Sequence, residues 1–137
     1  MRSANEMVLL YNIQPAERRA IIAALLDRLS MPHKEISVAD ADQSLGYLLG
    51  RNGFLENSSA SSSDQAPRGE MMILGGLSEL RLDALLKALR TCGAAPVALK
   101  AVATDTNILW SLKTLYGHLV MEHIQIQQAK QNRSAQS

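Results

Sequence analysis

Two short apolar runs, MVLLYNI at residues 7–13 and MMILGGL at residues 71–77, each break at turn-forming residues and lead straight into a helical pattern. That repeated step constrains the fold more than any other feature. A continuous apolar run of this length, bounded by turn residues, reads as a strand covered on both faces. After the first run, Ile21, Ile22, Leu25, Leu26 and Leu29 recur at three- and four-residue spacing, with Pro15 placed where a first helical turn tolerates it. After the second come Leu82, Leu85, Leu86 and Leu89, with Ser78 as the natural N-cap and Gly93 as the stop.

A proline and a second strand follow each helix: HKEISV at 33–38 and VALKAV at 97–102. Each half then closes with another helix, a short one near 41–50 and a long one over about 105–126. Laid on each other at an offset of 64 without a gap, the halves share ten identities over residues 7–50, among them Met7 with Met71, Leu10 with Leu74, Pro32 with Pro96 and Leu48 with Leu112. The reading is an internal duplication of a βαβα unit.

The expected fold is therefore α/β, a four-stranded mixed sheet with helices packed on it. Strand 2 alternates apolar and polar residues, which suits an edge, so strands 1 and 3 are placed centrally. Two topologies satisfy this pattern, ferredoxin-like or a simpler pseudo-twofold sandwich. The organisation along the chain is a first half over 1–56, a Ser-rich flexible linker over 57–70, a second half over 71–126 and a frayed tail over 127–137.

Composition narrows function mainly by exclusion. The formal net charge is +1, and neither half is strongly basic: residues 1–56 carry six basic and seven acidic side chains, the rest eight and six. Nothing in that balance points to nucleic acid or an anionic membrane surface. Cys92 is the single cysteine, so an intrachain disulfide or thiolate cluster is ruled out. The start MRSANEMVLLYNI has too short an apolar run for a signal peptide, and no run approaches the ~20 apolar residues of a membrane span. The expected compartment is the cytoplasm.

The densest stretch for chemistry is KAVATDTNILWSLKTLYGHLVMEH, residues 100–123. Thr104, Asp105, Thr106 and Asn107 are capping residues at a helix start, and with Lys100 beside them they could hold a small anionic ligand, with Trp110 stacking on it. In the plainer reading Thr104 caps the helix, Asn107 supports the cap, Lys100 is solvated and Trp110 anchors the core. Asp105 already places a negative charge in the first turn, which favours the plainer reading. On the helix that follows, Leu109, Leu112, Leu115, Tyr116 and Leu119 make one stripe with Trp110 on or beside it.

His118 and Glu122 share a helix face, but His123 points elsewhere and neither zinc-helix spacing is met, so no metal is expected. Gly75 and Gly76 lack the rest of a phosphate-loop signature and read as a tight turn. Cys92 sits at the end of a helix, where a thiolate is disfavoured, and reads as structural. No catalytic constellation and no cofactor site is suggested.

Residues 71 to about 124 resemble a small bacterial family, domain of unknown function 3783. The specific part is a K-A-V-x-T-x-T-N-x-x-W pattern, here Lys100, Ala101, Val102, Thr104, Thr106, Asn107 and Trp110, closing with Glu122 and His123. Asp105 stands where the family more often has proline. The resemblance implies a βαβα module and marks the strand-to-helix turn as its most closely specified part; it brings no known activity, cofactor or partner. The resulting expectation is a non-enzymatic interaction protein, meeting itself or another protein through the last helix. The alternative is a binding module for an anionic metabolite at residues 100–110.

Overall fold

A computed structural model describes residues 5–57 and 66–136. The chain runs β1 (Met7–Tyr11), α1 (Ala16–Arg28), β2 (His33–Ile36), α2 (Leu45–Leu48), β3 (Met71–Gly75), α3 (Glu79–Thr91), β4 (Lys100–Val102) and α4 (Leu112–Gln136), with 3-10 turns at Val38–Asp40 and Asn107–Leu109. The strands form one sheet in the order β2-β1-β3-β4. β1 pairs with β2 in parallel, β3 with β4 in parallel, and β1 with β3 antiparallel, Leu9 opposite Ile73.

Strands 1 and 3 are central because their side chains are apolar in both directions. Val8, Leu10, Met72 and Leu74 point to one face and pack with Ile22, Leu25, Leu26 and Leu85 of α1 and α3. Leu9, Tyr11, Met71 and Ile73 point to the other and pack with Leu45, Leu48, Leu112 and Leu115 of α2 and α4. A strand with helices on both sides needs no polar alternation. The edge strands have less to bury: β2 exposes Lys34 and Glu35, and β4 buries only Ala101. In a split ferredoxin-like βαβ the two strands joined by a helix are not neighbours. Here they are, so the simpler pseudo-twofold arrangement is the one adopted, as a three-layer sandwich.

The gapless offset of 64 does not survive the structure. Met7 lies opposite Gly75 and Tyr11 opposite Met71, so β1 and β3 are related at 64. The equally long α1 and α3 start at Ala16 and Glu79, one residue less. Beyond them the relation moves to 67: Val8 pairs with His33 while Met72 pairs with Lys100. The loop between α3 and β4 is thus longer than that between α1 and β2, and Pro32 corresponds to Leu99 rather than Pro96. Both accept a bond from the neighbouring strand, Val8 N–H to Pro32 O and Met72 N–H to Leu99 O, each 2.9 Å.

The same shift places Ser44 opposite Ser111, where an isolated antiparallel bridge joins the halves on the α2–α4 side. Leu45 N–H donates to Trp110 O at 2.9 Å and Leu112 N–H to Gln43 O at 3.0 Å. Each serine then starts its helix: Ser44 Oγ accepts from Tyr47 N–H at 3.1 Å and Ser111 Oγ from Thr114 N–H at 3.2 Å.

The last helix begins seven residues later than expected, at Leu112 rather than about 105, because Asn107–Leu109 closes as a 3-10 turn and Trp110 is extended. Leu109 consequently falls off the buried stripe and is exposed. At its other end α4 continues to Gln136, ten residues past the expected limit. Its sequence there (QQAKQNRSAQ) contains no glycine or proline and several good helix formers.

Most of the expected linker, 58–65, lies outside the described residues. Its borders are held: Gln43 exchanges bonds with the Asn57 backbone at 2.7 and 3.2 Å, and Tyr11 Oη donates to Pro67 O at 2.6 Å.

Candidate functional site

The residues expected to form a site after β4 do not converge on one point. Thr104 and Asn107 close on each other: Thr104 N–H donates to Asn107 Oδ1 at 2.7 Å, and Asn107 N–H donates to Thr104 Oγ1 at 3.0 Å. Asn107 Nδ2 then donates to Val102 O at 3.0 Å. Asn107 is buried, and this box uses the donors that would face an incoming anion. Its counterpart in the first half is Ser37 with Asp40, where Asp40 Oδ2 accepts from Ser37 N–H at 2.9 Å. The counterpart of Asn107 is therefore Asp40, not Gln43 as the gapless offset would have it. Thr106 is exposed, at the start of the 3-10 turn, and its side chain makes no cap.

Lys100 and Trp110 lie on opposite sides of the sheet. Lys100 turns to the α1–α3 side and donates from Nζ to Val97 O at 3.2 Å. Trp110 packs with the α2–α4 core, half-buried, and its ring stacks on His118 with centroids 4.2 Å apart and planes 12° from parallel. That stack, rather than a bond to Glu122, is what His118 makes. Among the described residues no three His, Cys, Asp or Glu side chains are grouped to hold a metal ion.

Gly76 and Asn12 occupy equivalent turns after β3 and β1, and both have positive φ, 72° and 55°. The tight turn expected at Gly75 and Gly76 is present, and in the first half Asn12 makes it without a glycine. At Gly76 a Cβ would run into the backbone carbonyl of Asn5, so there the glycine is required as well.

Sequence reasoning missed two crossed ion pairs. Arg18 of α1 forms a bidentate pair with Glu70, just before β3, at 2.7 and 2.6 Å. It also donates to Ala95 O at 3.0 Å and Pro96 O at 2.6 Å in the α3–β4 loop. Its counterpart, Arg81 of α3, pairs with Glu6, just before β1, and donates to Leu29 O at 3.0 Å and Ser30 O at 3.2 Å in the α1–β2 loop. The Arg18 hydrogen bonds, with Ala98 N–H adding to them against the cost of burial, hold the Glu70 carboxyl below its ordinary range. The one trace in the sequence is the repeated Glu-Met before each central strand, Glu6-Met7 and Glu70-Met71.

What remains without cover is α4. Leu112, Leu115 and Leu119 face the sheet, and every described residue from Met121 to Gln131 is exposed. Gly117, Val120, Met121 and Ile124 make a second apolar stripe on the side turned away from the core. Met121 is 56% exposed and Ile124 43%, while Ile126, prolonging the inner stripe past the sheet, is 55% exposed. Among the described residues no helix is long and apolar enough to cross a membrane.

Residues 70–126 match the family described as domain of unknown function (DUF3783), which spans β3 to the middle of α4 and includes the Thr104–Asn107 box, Trp110 and the exposed stripe. Comparison with curated proteins and with solved structures gives no match.

Proposed function

We propose that this protein works by association rather than catalysis, and that the surface it uses is the outer face of α4, meeting a second copy of the chain. The observation that carries this reading is the double apolar character of α4. A helix packed on one side should be polar on the other. Here Met121 and Ile124 lie in the open beside Gly117, where a Cβ would meet nothing within 4 Å and another backbone can come close.

Charge favours a second copy over an unlike partner. Between Gly117 and Ala129 the only acidic or basic side chain besides the histidines is Glu122, and the flanks are glutamines. Two such faces meet without like-charge repulsion, and a strongly charged partner would find no counter-charge. The same reading places the protein in the cytoplasm, on the lone cysteine and the balanced charge. It also takes the first half for a diverged copy of the second, which the paired Ser44–Ser111 caps and crossed Arg–Glu pairs support.

The test is mass in solution by light scattering across the micromolar range, for the parent and for Met121→Glu and Ile124→Glu. The parent is expected to be dimeric and both variants monomeric with unchanged melting. A parent that stays monomeric throughout would sink the proposal.

A further inference from the structure

The loop between α3 and β4, four residues longer than that between α1 and β2, borders a cleft with apolar walls, whereas the pocket at the equivalent place in the first half is lined by Asp27, Ser30, Met31, Pro32 and His33. The apolar cleft occupies about 280 Å³, between the end of α3, the loop and β4. Ile22, Leu86, Leu89 and Val97 give it apolar walls, and the half-buried thiol of Cys92 lies along it. Arg18, anchored on Glu70, holds the loop from behind through Ala95 O and Pro96 O. The volume falls just short of the ~300 Å³ at which drug-sized ligands are enclosed, so the occupant is a smaller molecule.

Charge at the rim says which kind. In the first half the end of α1 and the start of β2 bring Asp27 to His33, 2.9 Å apart, and the two satisfy each other. The corresponding residues in the second half are Arg90, at the end of α3, and Lys100, at the start of β4. Both are cations, so they cannot pair with each other, and among the described residues neither has an acidic partner within salt-bridge distance. Glu70, whose carboxyl feels Lys100, is already occupied by Arg18 and Ala98 N–H. The end of a helix is itself unfavourable to an anion, and the two side-chain charges outweigh its half charge.

We propose that this cleft binds a small amphipathic monocarboxylate, its apolar chain among Ile22, Leu86, Leu89 and Val97 and its carboxylate between Arg90 and Lys100. Chain burial supplies the affinity and the two cations supply the choice of headgroup.

Cys92 is the only cysteine, so its alkylation by iodoacetamide, followed by intact mass, reports on the cleft of the full chain. Octanoate, 1-octanol and octylammonium serve as probes of one tail and three headgroups. Octanoate is expected to slow alkylation saturably, at about one tenth of the concentration that octanol needs, with octylammonium weakest. In Lys100→Ala and Arg90→Ala the advantage of octanoate over octanol should shrink to less than about threefold. Saturation transfer from the protein to the octanoate methyl group checks the parent without any substitution. Equal protection by all three probes would overturn the carboxylate assignment. The absence of protection and of saturation transfer would overturn the site itself.

Discussion

Asn107, Trp110 and Lys100 rank differently in the structure from the order in which a reader of the sequence would notice them. Asn107→Ala removes a side chain that satisfies Thr104 N–H and Val102 O inside a buried turn, and should cost about 2 kcal/mol. Trp110→Ala removes a half-buried ring whose outer face rests on an exposed histidine. It should cost about 1 to 2 kcal/mol, below the 3 to 5 of a fully enclosed aromatic. Lys100→Ala should change stability by less than about 0.5 kcal/mol. Urea unfolding of the three variants measures the order directly. A tryptophan variant that lost more than the asparagine variant would show that the indole carries more of the core than its position indicates.

Between elements, the crossed Arg–Glu pairs carry the load that no single helix or strand shows. The Glu6 side chain is fully buried against Arg81, so Glu6→Gln strands a guanidinium and should cost about 3 kcal/mol. Glu70 can be read through pH instead. Its folded carboxyl titrates below its ordinary value of 4.5. The stabilisation it contributes is complete above that value and disappears as pH falls through the lower folded one. Glu70→Gln should therefore be less stable than the parent near neutrality, and the gap between the two urea midpoints should begin to narrow once pH falls below 4.5 and close as it passes the lower folded value. A gap that persisted at low pH would mean that the substitution acts by some route other than charge.

These pairs also mark the limit of what the sequence made legible. Strands, helix order and the central place of β1 and β3 could be read because each element carries its own periodicity. A contact between residues 18 and 70 leaves no period, and four residues added in a loop leave every flanking pattern intact while displacing its partner. That is why the gapless offset matches Asn107 to Gln43 and not to Asp40; Trp110, whose spacing continues the α4 stripe, precedes that helix because Asn107–Leu109 closes as a 3-10 turn. The exposed stripe on α4 was visible only as the absence of a clear polar face, which becomes informative once the inner stripe is known to be covered.

At the scale of the whole molecule, the two halves share one sheet, and their central strands pair directly. Proteolysis within residues 58–65 should therefore leave fragments that travel together on a sizing column, and they should separate only in denaturant. Fragments that parted in native buffer would show that the antiparallel seam contributes less than the two parallel pairs beside it. The crossing of the ion pairs also has a bearing on synthesis. A ribosome delivers Glu6 long before Arg81, and Arg18 well before Glu70. While the first half alone has emerged, it holds a carboxylate meant for burial and a guanidinium with its carboxylate partner still unmade, and its strand β1 has a bare side. Settling must wait for the second half to follow, so a chain cut short in translation stays open to degradation instead of accumulating as a folded fragment.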